Sequence, residues 1–152
     1  MADMYFDDFE IGRTFRTHGK TISEAEILTF AMVYDPQPLH MNAESAKDGI
    51  HGGLISSGFQ TISLSFSLFF RLGILDAANL GSPGFDELRW LKPVRPGDTI
   101  WMEAEVTQVK PSKSKPDRGV IFMDHRTVNQ NDEVVMTVKC MHMLRRHPDS
   151  AG

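Results

Sequence analysis

The sequence predicts an α+β domain in which an antiparallel sheet wraps one long central helix. Two features predict it. Leu54 to Phe70 contains no charged residue, and its large apolar side chains (Leu54, Ile55, Phe59, Ile62, Leu64, Phe66, Leu68, Phe69) fall on every side of a helix. From Phe85 onward the apolar period changes from helical to alternating, as in strands with one buried face. A helix apolar all round must be buried. A sheet covers it only by curving around it, and antiparallel sheets twist in that direction.

The elements follow in order. Ser23-Glu24-Ala25-Glu26 is a capping box, in which Ser23 and Glu26 satisfy each other's free backbone donors. Ile27, Leu28, Phe30, Ala31 and Val33 continue at helical spacing until Pro36 and Pro38 end the helix. Asn42 to Ala46 fits a short second helix before Gly49. Gly52-Gly53 then leads into the central helix, expected from Leu54 to about Leu72 and closed by Gly73. Phe85 to Leu91 reads as a strand, followed by a turn at Pro93 and Pro96-Gly97-Asp98. Thr99 to Val109 alternates, with Ile100, Met102, Ala104 and Val106 on the inner side. Val120–Val128 and Val134–Leu144 are two further strands joined by the polar turn Asn129-Gln130-Asn131-Asp132. The expectation is a single domain over 1–152, with 145–152 a flexible tail.

Composition narrows the function. The 152 residues carry 16 Lys and Arg against 20 Asp and Glu, a net charge of −4 that disfavours a general nucleic-acid binder. The single cysteine, Cys140, excludes an intramolecular disulfide and fits a reducing compartment. The acidic N-terminus lacks a secretory signal, and the apolar run is too short and too hydroxyl-rich to span a bilayer. The expected location is cytoplasmic, with no membrane and no nucleic-acid partner.

Chemistry is concentrated in Asp35-Pro36-Gln37-Pro38-Leu39-His40. The prolines stiffen the backbone, so a carboxylate and an imidazole can share one water and pass a proton in either direction. Desolvation is expected to push the carboxylate upward in pKa. The plainer alternative has Asp35 capping a turn and His40 filling the core. His18, His125, His142 and His147 show no ligand spacing with one another or with Cys140, so no metal site is expected. Gly52-Gly53 does not extend into a dinucleotide or P-loop pattern. His51 lies beside these glycines and is a weaker candidate for the site. Lys110, Lys113, Lys115 and Arg118 form a basic loop, either a solvated hairpin tip or an attractor for phosphates.

The string Asp35 to His40, followed by Ala46, resembles the hydratase motif of the MaoC-like dehydratases and (R)-specific (type 2) enoyl-CoA hydratases. His51-Gly52-Gly53-Leu54-Ile55-Ser56-Ser57-Gly58 resembles that family's glycine-led entry into its central helix. Leu91-Lys92-Pro93-Val94-Arg95-Pro96-Gly97-Asp98-Thr99 resembles its turn into the next strand. Together these cover roughly Phe9 to Leu144. The resemblance implies the hot-dog fold, Asp35 and His40 as the catalytic pair, and Gly53 as the oxyanion donor at the start of the central helix. It also implies Gln37 and Thr61 as substrate-binding positions, Gln37 standing where the family has asparagine. No cofactor is implied. The implied substrate is an acyl-CoA thioester, and the implied assembly a homodimer or dimer of dimers. A thioesterase is the competing enzyme reading, weakened because Leu54–Phe70 holds no carboxylate. A non-catalytic acyl-thioester binding module is the competing reading of another class.

Overall fold

A computed structural model describes residues 3–149. Short strands β1 (Thr14–Arg16) and β2 (Lys20–Thr21) precede helices α1 (Glu24–Tyr34), α2 (Pro38–Met41), α3 (Ala43–Ala46) and α4 (Gly58–Phe70). Strands β3 (Asn79–Gly81), β4 (Phe85–Trp90), β5 (Thr99–Pro111), β6 (Arg118–Asn129) and β7 (Val134–Arg145) complete the chain. They form one seven-stranded antiparallel sheet in the order β1-β5-β6-β7-β3, with β2 also on β5 and β4 also on β7.

The alternating segments behave as their period requires. Ile100, Met102, Ala104 and Val106 of β5 are buried, as are Ile121 and Met123 of β6 and Val138 and Leu144 of β7. They close on α4 through Phe66, Leu68 and Phe69 in one continuous core. Burying a side chain such as Phe69 stabilises the fold by about 1.5–3 kcal/mol. Ser23 caps α1 through the predicted box, accepting from the Glu26 N–H at 3.1 Å while Glu26 Oε1 accepts from the Ser23 N–H.

Three expectations need correction. The central helix begins at Gly58, not Leu54, and Ser57 is its N-cap. Leu54–Ser57 stays out of the helix because tertiary bonds claim its donors: the Ile55 N–H donates to Leu39 C=O at 3.2 Å and the Ser56 N–H to Val94 C=O at 2.7 Å. The helix is also not enclosed on every side in one chain, since Phe59 is 59% and Phe70 44% exposed. Finally, the C-terminal segment is tied down further than expected. Arg145 is the last residue of β7, the Arg146 N–H donates to Asp117 C=O at 2.8 Å, and His147 pairs with Asp8 at 2.9 Å. Residues 150–152 lie outside the described part.

Candidate active site

Asp35 follows the last residue of α1, and its N–H still donates to Ala31 C=O at 2.9 Å. Pro36 keeps it out of the helical region, at φ −154° and ψ 70°. Pro38 then opens the one-turn helix α2 at its first position, where a missing N–H costs nothing, and α2 carries His40. The predicted loop is therefore partly helical.

This geometry turns both side chains inward against the N-terminus of α4. Asp35 Oδ1 accepts from Gln37 Nε2 at 2.6 Å, and Oδ2 accepts from the buried Ser57 hydroxyl at 2.7 Å. His40 Nε2 lies 3.4 Å from Asp35 Oδ2, while Nδ1 lies 2.8 Å from the carbonyl oxygen of Ile55. A carbonyl only accepts, so Nδ1 carries the proton and Nε2 is the nitrogen free to exchange one. Both side chains are buried. The Gln37 and Ser57 donors hold the Asp35 carboxyl below its usual range, outweighing burial, and His40 adds to them when it is protonated. The upward shift expected from desolvation is thus reversed by hydrogen bonding.

A cavity of about 440 Å³ opens onto the pair, walled by Asp35, Gln37, His40, His51, Thr61 and the Gly58-Phe59 end of α4, with Trp90 to Val94 opposite. A larger concavity, about 920 Å³, lies on the charged sheet face around Glu103, Arg126, Glu87 and Lys139. There Arg126 pairs with Glu103 and Lys139 with Glu87, at 2.9 Å each.

The sequence-predicted residues are gathered unevenly. Asp35, Gln37, His40, His51 and Thr61 share the cavity, and Thr61 Oγ1 donates to Ser57 C=O at 3.3 Å. Gly53 does not. It sits in the bend five residues before the helix, beside Arg95, so its expected place at the helix start falls to Gly58. The first N–H groups of a helix have no intrahelical acceptor. That of Phe59 goes to Ser57 Oγ at 3.2 Å, and Gly58 is the first residue at the positive end of α4. Glycine is required there by close approach: a Cβ would meet the Trp90 ring at 2.6 Å, and Trp90 Nε1 donates to Gly58 C=O at 3.2 Å. Ser57 and Trp90 were not singled out from sequence, although serine before glycine at a helix start is a readable N-cap signal.

The basic loop lies elsewhere. The cavity is walled by Trp90 to Val94, before β5 begins, whereas Lys113 and Lys115 lie beyond its Pro111 end and line no part of it. Arg118 there pairs with Asp117 at 2.8 Å. Within one subunit the solvated-tip reading fits the loop better. Two of the histidines that show no ligand spacing in the sequence nonetheless meet in the fold. Sheet register brings His125, Cys140 and His142 together, with ligand atoms within 4.8 Å of one another.

Comparison with known proteins agrees with this architecture. Residues 8–125 match the MaoC-like domain family. The chain belongs to that family. It is 29% identical to the uncharacterized protein YdeM of Bacillus subtilis over 94% of this chain and all of that protein. It is 32% identical to the (R)-specific enoyl-CoA hydratase of Rhodospirillum rubrum over 72% of this chain and 74% of that enzyme. The mesaconyl-CoA hydratase of Cereibacter sphaeroides is 30% identical, but the chain spans only 43% of its length. Among solved structures, the MaoC-like dehydratase of Rhodospirillum rubrum superposes at a TM-score of 0.89, with 33% identity over 95% of this chain and 99% of that one. The Mycobacterium tuberculosis protein Rv0216, described as a double hot-dog fold, superposes at 0.81 with 18% identity, over 97% of this chain and 46% of that one. The fold is a hot dog. No described helix is long and apolar enough to cross a membrane.

Proposed function

We propose that this chain catalyses the reversible hydration of a trans-2-enoyl-CoA thioester to the (R)-3-hydroxyacyl thioester. The observation that carries this reading is the buried Asp35–His40 pair, aimed into a cavity beside the N-terminus of α4. In this mechanism the Gly58 N–H, in place of the expected Gly53, donates to the thioester oxygen and stabilises the negative charge developing there, which makes C3 electrophilic. Water sits between Asp35 Oδ2 and His40 Nε2. Its oxygen adds to C3 while Nε2 takes one of its protons, and the imidazolium, steadied by the Asp35 carboxylate, delivers that proton to C2. The two additions occur on one face, and no co-reactant is consumed. Gln37 orients the carboxylate, and Thr61 shapes the cavity wall.

The thioesterase reading lacks a carboxylate on α4, and a non-catalytic module would not need an intact acid–base pair. Relatives named for enoyl-CoA, mesaconyl-CoA and 3-hydroxybutyryl-CoA support a CoA thioester substrate. The test is loss of the enoyl-thioester absorbance with crotonyl-CoA. Asp35→Asn and His40→Ala should each lower turnover by about 10²–10⁴-fold with unchanged melting. The double variant should be little worse than either single, since both act on one water. Near-normal turnover in either single variant would overturn the mechanism.

A further inference from the structure

Outside this site, one cluster of chemically capable side chains has no part in hydration. His125 lies on β6, and Cys140 and His142 lie two residues apart on β7. The register pairs Met123 with Cys140 and His125 with Val138, so all three point to the inner face of the sheet. They are 1%, 2% and 2% exposed, respectively. His125 Nε2 and His142 Nε2 are 3.5 Å apart, and one donor atom from each of the three residues fits within 4.8 Å.

As packing, this arrangement is poor. Two imidazoles meet across a long contact, and His125 Nδ1 is buried with no hydrogen-bond partner. As a ligand set it is well formed. A tetrahedral zinc ion with Zn–N near 2.0–2.1 Å and Zn–S near 2.3 Å holds its nitrogens about 3.3 Å apart and its sulfur about 3.5 Å from each. The two Nε2 atoms, 3.5 Å apart, already stand close to that separation, and a donor atom from each of the three residues fits within 4.8 Å. Burial keeps both histidines neutral, with pKa values lowered to about 3 for His125 and about 4 for His142, so their lone pairs are available at neutral pH. Burial also pushes the Cys140 thiol up to about 11, so it loses its proton only as metal binds.

Access exists as well. A pocket of about 300 Å³ between α4 and the β3–β4 region is lined by Cys140, His142 and Ser82, among others, and Ser82 Oγ lies 3.7 Å from Cys140 Sγ. Phe66 and Phe69 pack against His125, with ring centroids 4.9 Å away in both cases. Two nitrogens and a thiolate in an apolar shell suit a thiophilic d¹⁰ ion better than a hard cation. We infer that His125, Cys140 and His142 form a buried site for a transition-metal ion of the zinc class, with the pocket providing entry and an open fourth position.

The test uses the full chain after chelator treatment, titrated with Co²⁺ as a spectroscopic probe and then with Zn²⁺. A thiolate-to-cobalt charge-transfer band with tetrahedral visible bands is expected, saturating at about one equivalent and bleached by Zn²⁺. Zn²⁺ should also protect the single cysteine from alkylation, a readout that needs no variant. Cys140→Ser should abolish the charge-transfer band, and His142→Gln should weaken binding by at least about tenfold. His40→Ala should change neither. Absence of the thiolate band in the unaltered chain, its persistence in Cys140→Ser, or its loss in His40→Ala would each overturn the assignment.

Discussion

Ser57 uses one hydroxyl twice: its Oγ accepts from the Phe59 N–H and donates to Asp35 Oδ2, so the cap of α4 also tunes the carboxylate. Ser57→Ala removes a donor that lowers the Asp35 pKa, while burial, which raises it, remains. The acid limb of the kcat/KM profile should therefore move to higher pH, and Ser57→Thr should restore it. An unmoved limb would separate Asp35 from the pH dependence. Gly53 and Gly58 provide a contrasting pair. An added Cβ at Gly53 meets only the Arg95 guanidinium at 3.9 Å, so Gly53→Ala should leave melting and turnover nearly unchanged. At Gly58 it strikes Trp90, and turnover should fall by about 10²-fold or more. In a Trp90→Ala background the clash is relieved, so turnover that stays low there marks Gly58 as the place where the thioester oxygen approaches. Recovery would reduce Gly58 to a seat for the indole.

At the level of elements, much was legible because the signals are local. The Ser23–Glu26 box and the alternation of Thr99–Val109 are fixed by neighbours along the chain, and the fold places both as read. The start of α4 was not legible, because Leu39 and Val94 hold Leu54–Ser57 out of the helix from a distance. Nor were β1, β2 and β3, two or three residues each and too short to show a period. The His125–Cys140–His142 cluster depends on the register of β6 on β7, which no spacing in the sequence reveals. That pair of strands carries a pH prediction. Both histidines have pKa values lowered from 6.5, to about 3 and about 4, so between those values and 6.5 the unfolded chain binds more protons than the folded one. Stability should therefore fall as pH drops below 6.5, by about 2 kcal/mol for each histidine at pH 5. Denaturant midpoints at pH 7 and pH 5 measure the loss, and His125→Gln with His142→Gln should flatten it. A midpoint independent of pH in that window would mean the imidazoles are not buried as described.

At the scale of the whole molecule, one subunit leaves an apolar strip open: Phe59 and Phe70 on α4 and Phe85, Trp90 and Leu91 on and beside β4. The outer edge of β4 pairs with no strand among the described residues. We propose that a second copy covers this face, as the family resemblance implies. The chain should then sediment at twice its 17.1 kDa, and Phe59→Lys with Phe85→Lys should shift it towards monomer. Sedimentation at the single-chain mass would reject this assembly. The central claim, that His40 Nε2 carries one proton of a water held by Asp35 from the oxygen to C2, is tested most directly by the product itself. Crotonyl-CoA hydrated in D₂O should yield (R)-3-hydroxybutyryl-CoA with deuterium at C2 on the same face as the new hydroxyl, and no free thiol. Deuterium on the opposite face, or thiol release with the double bond intact, would contradict the account.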